Sequence, residues 1–297
     1  MLEIREGHPL STIAATGGPA SGGDSPQMNR GPSVDGRPST MNRVRARRVN
    51  GWRVLRDGEE RAERQMRLDE ALARRAEPTV RFFTWKPAGV SLGWKQPRPA
   101  WLDPARWSAA GLALCERPTG GGIAVHGSDL SLAVVVPRAW ILPLGALMRT
   151  ACENAVRLCR SYGADAEPLM DAPAEGRITY CLTEPSPYAV MVEARKVAGF
   201  ALRRYPQSWL IQGSLLVRPV PPVLDGAMPE QARRAYAARA IPLAEAVAQT
   251  VTEMDAAVLW AHHWAAWWEE EMITQILKND NADTASKHIR QSAVLSA

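Results

Sequence analysis

Apolar residues recur along this chain with two rhythms, one near every third or fourth position and one at alternate positions, and the changes between them predict its elements. In "AERQMRLDEALAR", Met66, Leu68, Ala71 and Leu72 fall on neighbouring turns of a helix. Two short strands follow, Val80 to Trp85 and Val90 to Trp94, on either side of the Pro- and Gly-bearing turn Lys86 to Gly89. The stretch "LALCERPTGGGIAVHGSDLSLAVVVP" reads as one apolar strand entering a triple-glycine loop and another leaving it. From Leu142 to Tyr162 the helical rhythm returns, with Leu147, Ala151, Ala155 and Leu158 on one stripe and Gly163 as a left-handed cap.

Four strand-like runs come next, "ITYCL", "YAVMVE", "KVAGFALRRY" and "SWLIQGSLLV", and their short polar separators predict an antiparallel meander. From Pro229 the chain reads as helical. The final strong helix lines up Leu259, His263 and Trp267, with Trp260, Trp264 and Trp268 on the next row. Aromatic residues at helical spacing are more often core than docking surface, and the core reading is taken here.

Residues 1–48 have no periodic apolar set. Gly, Pro and Ser dominate them, so burial cannot offset the entropy of ordering, and a disordered arm is expected. Met28 and Met41 precede the first patterned segment, and either could be the true start, an expectation that N-terminal sequencing of native protein from Met1 would refute. A catalytic domain is expected over 49–228. A helical part over 229–297 packs on the same domain, its tail frayed from about 279.

Composition narrows the class. With 297 residues and 46% hydrophobic content, the chain is able to bury a sizeable core. It contains no run of roughly 18 to 20 apolar residues and no signal-peptide pattern, so a cytoplasmic protein that does not enter the membrane is expected. Of the net charge of +5, residues 1–48 carry +3, from seven Arg against four acids. The nearly balanced remainder argues against a nucleic-acid partner, which needs a clustered basic face.

The four cysteines, Cys115, Cys152, Cys159 and Cys181, form no C-x-x-C pair and no zinc spacing, so neither a metal site nor disulfides are expected. Cys152 and Cys159 read as small buried apolar residues within a helix, whereas Cys181 lies beside a turn-rich loop where a thiol is reachable. Gly120, Gly121 and Gly122 allow close backbone approach and could present N–H groups to an oxyanion or phosphate. No Gly-Lys-Ser/Thr ends the loop, so it is not a P-loop. By itself the loop reads sooner as a tight structural turn than as such a cradle.

Arg117, Thr119, Gly120, Gly121, Gly122, His126, Asp129, Leu130 and Ser131 resemble the signature loop of the lipoate ligase and octanoyltransferase families. A second block, "CLTEPSPYAVMVEARKVAGFALRR", is similar to the segment that carries a cysteine nucleophile and, after it, a lysine followed by Val/Ile, a small residue and Gly. With the part from Trp52 to Gln96, the resemblance spans most of residues 52–217. It places the chain in the biotin/lipoate protein ligase superfamily, closest to the cysteine-dependent octanoyltransferases.

The resemblance implies an α+β fold, a mixed or antiparallel sheet flanked by helices, of the class II synthetase-like catalytic-domain type. It implies Cys181 and Lys196 as catalytic residues and Arg117, Thr119, Gly120, Gly121, Gly122, His126 and Gly199 as substrate-binding ones. The implied reaction moves an octanoyl group from acyl carrier protein to the lysine of a lipoyl domain or glycine cleavage H protein through a thioester on Cys181, with no cofactor. Two rivals stay open: an ATP-dependent lipoate ligase, needing ATP and Mg but no cysteine, and a non-catalytic lipoyl-domain-binding scaffold. Glu116, Pro118, Phe200, Leu202 and Gln212 depart from the family pattern, and Phe200 and Leu202 are expected to narrow the acyl tunnel.

Overall fold

The structure is a computed structural model that describes residues 45–49, 51–140, 142–172 and 179–267. Its first half runs β1 (Arg45–Val49), β2 (Trp52–Glu60), α1 (Ala62–Arg75), β3 (Thr79–Trp85), β4 (Gly89–Leu92), α2 (Pro104–Ala109), β5 (Ala113–Glu116), β6 (Ala124–His126) and β7 (Asp129–Pro137). Then come α3 (Leu144–Ser161), β8 (Ala166–Leu169), β9 (Ala189–Val192), β10 (Arg195–Arg204), β11 (Ser208–Leu216), α4 (Pro222–Asp225), α5 (Glu230–Arg239) and α6 (Leu243–Ala246). A last helix, α7, occupies 253–267.

Among the described residues an 8-stranded sheet has the order β1-β2-β3-β7-β11-β10-β9-β8, and a 3-stranded sheet has the order β5-β4-β6. In the large sheet β2 and β3 run parallel and the other neighbours antiparallel, which makes it mixed. β7 lies at its centre. Its run Asp129 to Val136 is buried throughout, and such continuous burial requires covered faces on both sides of the sheet.

Helix α1 covers one face, where Met66, Leu72 and Ala73 pack with Phe83, Val135 and Leu210. On the other face Cys152, Ala155 and Leu158 of α3 and Trp260 and Trp264 of α7 pack with Phe82, Val134 and Ile211. The mixed sheet flanked by helices is the fold expected from sequence. So is the core role of Trp260 and Trp264; Trp268 and the expected frayed tail lie outside the described residues.

Several elements differ from expectation. The buried residues of α1 are Ala62, Gln65, Met66, Asp69, Leu72 and Ala73, while Leu68 is exposed, because the buried stripe includes polar residues that form their own network. β3 and β4 are not a hairpin: they belong to different sheets. Tyr180 forms only an isolated bridge to Ile123, so the first strand of the expected meander is absent among the described residues, while β9, β10 and β11 do form one. Strands β1, β2 and β8 were not foreseen. β1 takes in Arg45 to Arg48 of the arm expected over 1–48, and residues 1–44 lie outside the described ones.

Strand register fixes which residues face the site. Gly199 pairs with Ser214 and Ala201 with Gln212 on the α1 face, whereas Phe200 pairs with Gly213 and Leu202 with Ile211. Neighbours along a strand point to opposite faces, so Phe200 and Leu202 project away from α1 into the core with α3. The Phe200 ring lies over Gly213, where an added Cβ would come within 2.5 Å of it. Leu202 is absent from the cavity wall, which corrects the expectation that it narrows the tunnel; Phe200 borders the cavity while packing against the core beneath α3.

Candidate active site

A narrow cavity of about 30 Å³ opens on the α1 face of the large sheet, between that sheet and the small one. Cys181, Gly199, Arg117, His126, Ser91 and Met66 are among the residues lining it. Its volume admits a water molecule but no acyl chain, so a chain enters only if a side chain of the wall turns aside. Met66, unbranched and adaptable, is the wall residue best suited to yield.

Cys181 is held by its backbone. Its N–H donates to Ile123 O at 2.8 Å, and the Ile123 N–H donates to Thr179 O at 2.7 Å, which joins the cysteine segment to the end of the glycine loop. Lys196, 3% exposed, approaches from β10 at a register shift between Lys196 and Ala198. Its Nζ donates to Cys181 O at 2.7 Å, to Ser186 Oγ at 2.7 Å and to Glu184 O at 3.3 Å. Burial pushes the Lys196 pKa below the usual lysine range, against the opposing pull of Cys181 and Glu184.

Gly199 occupies the angle between the two groups. A methyl built on it would lie 3.1 Å from Lys196 Cε, 3.4 Å from Nζ and 3.5 Å from Cys181 Sγ. Thiol and amine therefore border one point in space, and glycine keeps that point clear.

The glycine loop wraps a buried guanidinium. Arg117 Nη2 donates to Gly120 O and Gly122 O, both at 2.7 Å, while Nη1 donates to Ser91 O at 3.0 Å and Ser91 Oγ at 3.2 Å. Gly121 adopts φ +92°, and a Cβ on Gly93 would collide with the Gly121 carbonyl oxygen, so the turn needs glycine at both positions. Carbonyls of Gly120 and Gly122 thus face Arg117. Burial lowers the Arg117 pKa from its ordinary value.

His126 is fixed at both nitrogens, with Nε2 2.8 Å from Ser91 Oγ and Nδ1 2.9 Å from Asp129 Oδ2. Its ring stacks on Trp85 at 3.8 Å between centroids. Asp129 Oδ2 also accepts from Ser131 Oγ at 2.9 Å and Ser214 Oγ at 2.8 Å. Burial alone pushes the Asp129 carboxyl upward, but His126, Ser214 and Ser131 outweigh it and hold the pKa below the usual range. Asp129 is thus an acceptor for the Nδ1 side of the ring, and Nε2 faces the Ser91 hydroxyl.

Thr119 reaches the site through a partner. Its Oγ1 donates to Gln212 Oε1 at 2.7 Å, and Gln212 Nε2 donates to Asp69 Oδ2 at 2.7 Å. Asp69 in turn receives Arg81, which also binds Asp57 and Gln65. Ser91, Asp69, Gln212 and Ser186 were not singled out as site residues; the legible signal was Asp69, a charge within the apolar stripe of α1. Among the described residues, no group of three or more His, Cys, Asp or Glu could hold a metal ion, and no helix is long and apolar enough to cross a membrane.

Residues 61–260 match the family described as the lipoyl protein ligase A/B catalytic domain. Octanoyltransferase LipM of Symbiobacterium thermophilum is 32% identical over 227 residues, covering 69% of this chain and 82% of that protein. Octanoyltransferase LipM of Bacillus subtilis is 29% identical over 181 residues, covering 56% of this chain and 65% of that one. A crystal structure of lipoate-protein ligase A bound with ATP superposes with a TM-score of 0.55 at 22% identity, covering 70% of this chain and 83% of that chain. A bipartite lipoate protein ligase from Thermoplasma acidophilum gives a TM-score of 0.54 at 21% identity, over 70% and 80%. The matched span runs from α1 into α7 and so takes in the glycine loop, Cys181 and Lys196, and by it the chain belongs to the lipoyl protein ligase A/B catalytic domain family.

Proposed function

We propose that the protein is an octanoyltransferase that carries a medium-chain acyl group from acyl carrier protein to the lysine of a lipoyl domain or glycine cleavage H protein. The observation that carries the reading is the common approach of the Cys181 sulfur and the Lys196 amine to the position of Gly199. The names of its relatives support the acyl group and the reaction class.

In this reading Cys181 attacks the thioester carbonyl of the loaded carrier, the bond from carbonyl carbon to carrier sulfur breaks, and the carrier leaves as a thiol. One thioester replaces another. The amine of the target lysine then attacks the enzyme thioester, an amide forms, and the Cys181 thiol is restored. An attacking amine must be neutral at nitrogen and must lose a proton, and the lowered pKa of Lys196 suits it to accept one. Arg117, His126 and Gly199 bound the space in which the acyl carbonyl is held, and the glycine loop acts on it through the carbonyls of Gly120 and Gly122 that fix Arg117. Because the incoming thioester is already activated, neither ATP nor Mg enters these steps.

The test is incubation with octanoyl acyl carrier protein without ATP, followed by intact-mass analysis. A covalent octanoyl adduct that disappears in Cys181→Ala is expected, and it also excludes the scaffold reading. Strict dependence on ATP, with activity retained in Cys181→Ala, would overturn the proposal in favour of a ligase.

A further inference from the structure

Helix α5 lies outside the sequence motifs, yet it brings a buried polar group against Tyr180, the residue that precedes Cys181. Tyr236 is 5% exposed, and its hydroxyl has no hydrogen-bond partner among the described residues. Its ring meets Tyr180 edge-on, with centroids 6.3 Å apart, and packs in one cluster with Ile123, Val125 and Leu182. Ile123 follows the glycine loop and Leu182 follows Cys181, so the phenol stands where these two segments cross. The helix end is fastened to the catalytic strand: Ile241 N–H donates to Lys196 O at 3.1 Å, and Ala240 bridges Lys196.

A buried hydroxyl without an acceptor is costly, and phenylalanine would fill the same space without that cost. Tyr205 carries an unpartnered hydroxyl too, but its electrostatic neighbours are Arg203, Glu70, Arg74 and Asp69. Those of Tyr236 are Cys181, Tyr180, Asp129 and Arg117. Burial, with Cys181, Tyr180 and Asp129 acting in the same sense, drives the Tyr236 pKa well above the ordinary value, so the group remains a protonated donor.

We propose that the Tyr236 hydroxyl is a hydrogen-bond donor to the Cys181 sulfur when that sulfur carries charge, which makes Tyr236 a catalytic residue supplied by the C-terminal helical part. The resting thiol is a poor acceptor; the thiolate is a strong one, and a charge-assisted hydrogen bond forms as the proton leaves. Its place in acyl transfer rests on the function proposed above. Its effect on the sulfur does not.

Alkylation by iodoacetamide reads that effect without any acyl donor: the sulfur displaces iodide, an S–C bond forms as C–I breaks, and the thiol proton goes to buffer. Besides Tyr236, the charged groups that face Cys181 are Arg117 from the glycine loop and Lys196 from β10, while Tyr180 and Glu184 act on Tyr236 and Lys196. All of these stay in place in Tyr236→Phe. At neutral pH, alkylation of Cys181 is expected to slow roughly tenfold or more, the worth of one hydrogen bond to a charged group, without loss of thermal stability. Tyr205→Phe should alkylate at the wild-type rate. An unchanged rate in Tyr236→Phe, with an equal or higher melting temperature, overturns the proposal.

A second measurement covers the case in which the variant folds poorly. In wild-type chain labelled with fluorotyrosine, the ¹⁹F resonance of Tyr236 is expected to move when Cys181 is alkylated; a resonance that stays put overturns the proposal equally. Failure to form an acyl adduct with normal results here would sink the transferase reading alone.

Discussion

The Lys196 Nζ donates to the main-chain oxygen of Cys181 at 2.7 Å, so the buried amine anchors the segment that carries the thiol. The same nitrogen lies within hydrogen-bond distance of Glu184 O and Ser186 Oγ farther along that segment. One side chain therefore fixes the loop and, in the proposed reaction, exchanges a proton beside it. Lys196→Ala strips three oxygens of their donor and frees the loop, and transfer from a preformed Cys181 thioester to the carrier lysine is expected to fall roughly a hundredfold or more, measured in single turnover. Lys196→Arg should not restore it, since a planar fork neither matches three divergent acceptors nor gives up its proton. Wild-type turnover in either variant would remove Lys196 from the mechanism.

Two glycines on adjacent strands should respond in opposite ways. Gly199→Ala places a methyl 3.1 Å from Lys196 Cε and 3.5 Å from Cys181 Sγ, so the amine must shift by a few tenths of an ångström and transfer should drop about tenfold or more while the fold survives. Gly213→Ala places its methyl 2.5 Å from the Phe200 ring on the opposite face, which is overpacking worth about 1–3 kcal/mol. There the loss should appear in the urea midpoint and leave turnover near wild type. A Gly213→Ala variant that folds normally but turns over slowly would show that the two faces are coupled in a way the register does not suggest.

That contrast also marks how far the sequence could be read. The apolar stripe of α3 and the strands around the glycine loop were legible because each is a local pattern. The pairing of Cys181 with Lys196 was legible as a resemblance, but the three oxygens that bind the amine were not, because they depend on how one loop folds back. β2 was missed because "WRVLRDGEE" is half charged: it lies one strand from the sheet edge, and only parts of it are buried. Phe200 was assigned to the tunnel from its place in a motif. With Gly199 at the cavity, the alternation of a strand turns the side chain of its neighbour toward the α3 core, so Phe200 borders the cavity without filling it. The Thr119, Gln212 and Asp69 chain joins α1, the loop and β11 across more than a hundred residues, and no local pattern announces such a contact.

That buried chain supports a stability prediction. Asp69→Ala leaves the Arg81 guanidinium, 1% exposed, with Asp57 as its remaining carboxylate, and removes the acceptor of Gln212 Nε2. Breaking a buried charged network by deleting one partner costs about 3–5 kcal/mol. The urea midpoint should fall accordingly with an unchanged m-value. Because Gln212 also holds Thr119, turnover under conditions where the variant is still folded should fall as well; a loss confined to stability would mean that Thr119 does not depend on that support.

The buried cysteines predict the alkaline limit of stability. Burial pushes the Cys159 thiol from 9.0 up to about 12, and the side chain is fully enclosed within α3's packed face. Below pH 9.0 the thiol is protonated in both folded and unfolded chains and does not affect their balance. Between pH 9.0 and about 12 the unfolded chain gives up the proton while the folded one keeps it, so the folded state binds more protons and stability falls as pH rises. A three-unit gap corresponds to at most ~4 kcal/mol at the top of that window. Lys196 acts in the opposite sense: its pKa is lowered by burial, so below 10.5 the unfolded chain binds more protons and stability rises with pH. The comparison that isolates the thiol is therefore wild type against Cys159→Ala, in which Lys196 cancels. Urea midpoints measured across this range should give a wild-type curve that falls more steeply above pH 9.0 than that of the variant, with a constant offset below it from the lost packing. Curves that stay parallel throughout would mean that Cys159 ionises in the folded protein as readily as in water, and that the core beneath α3 is open to solvent.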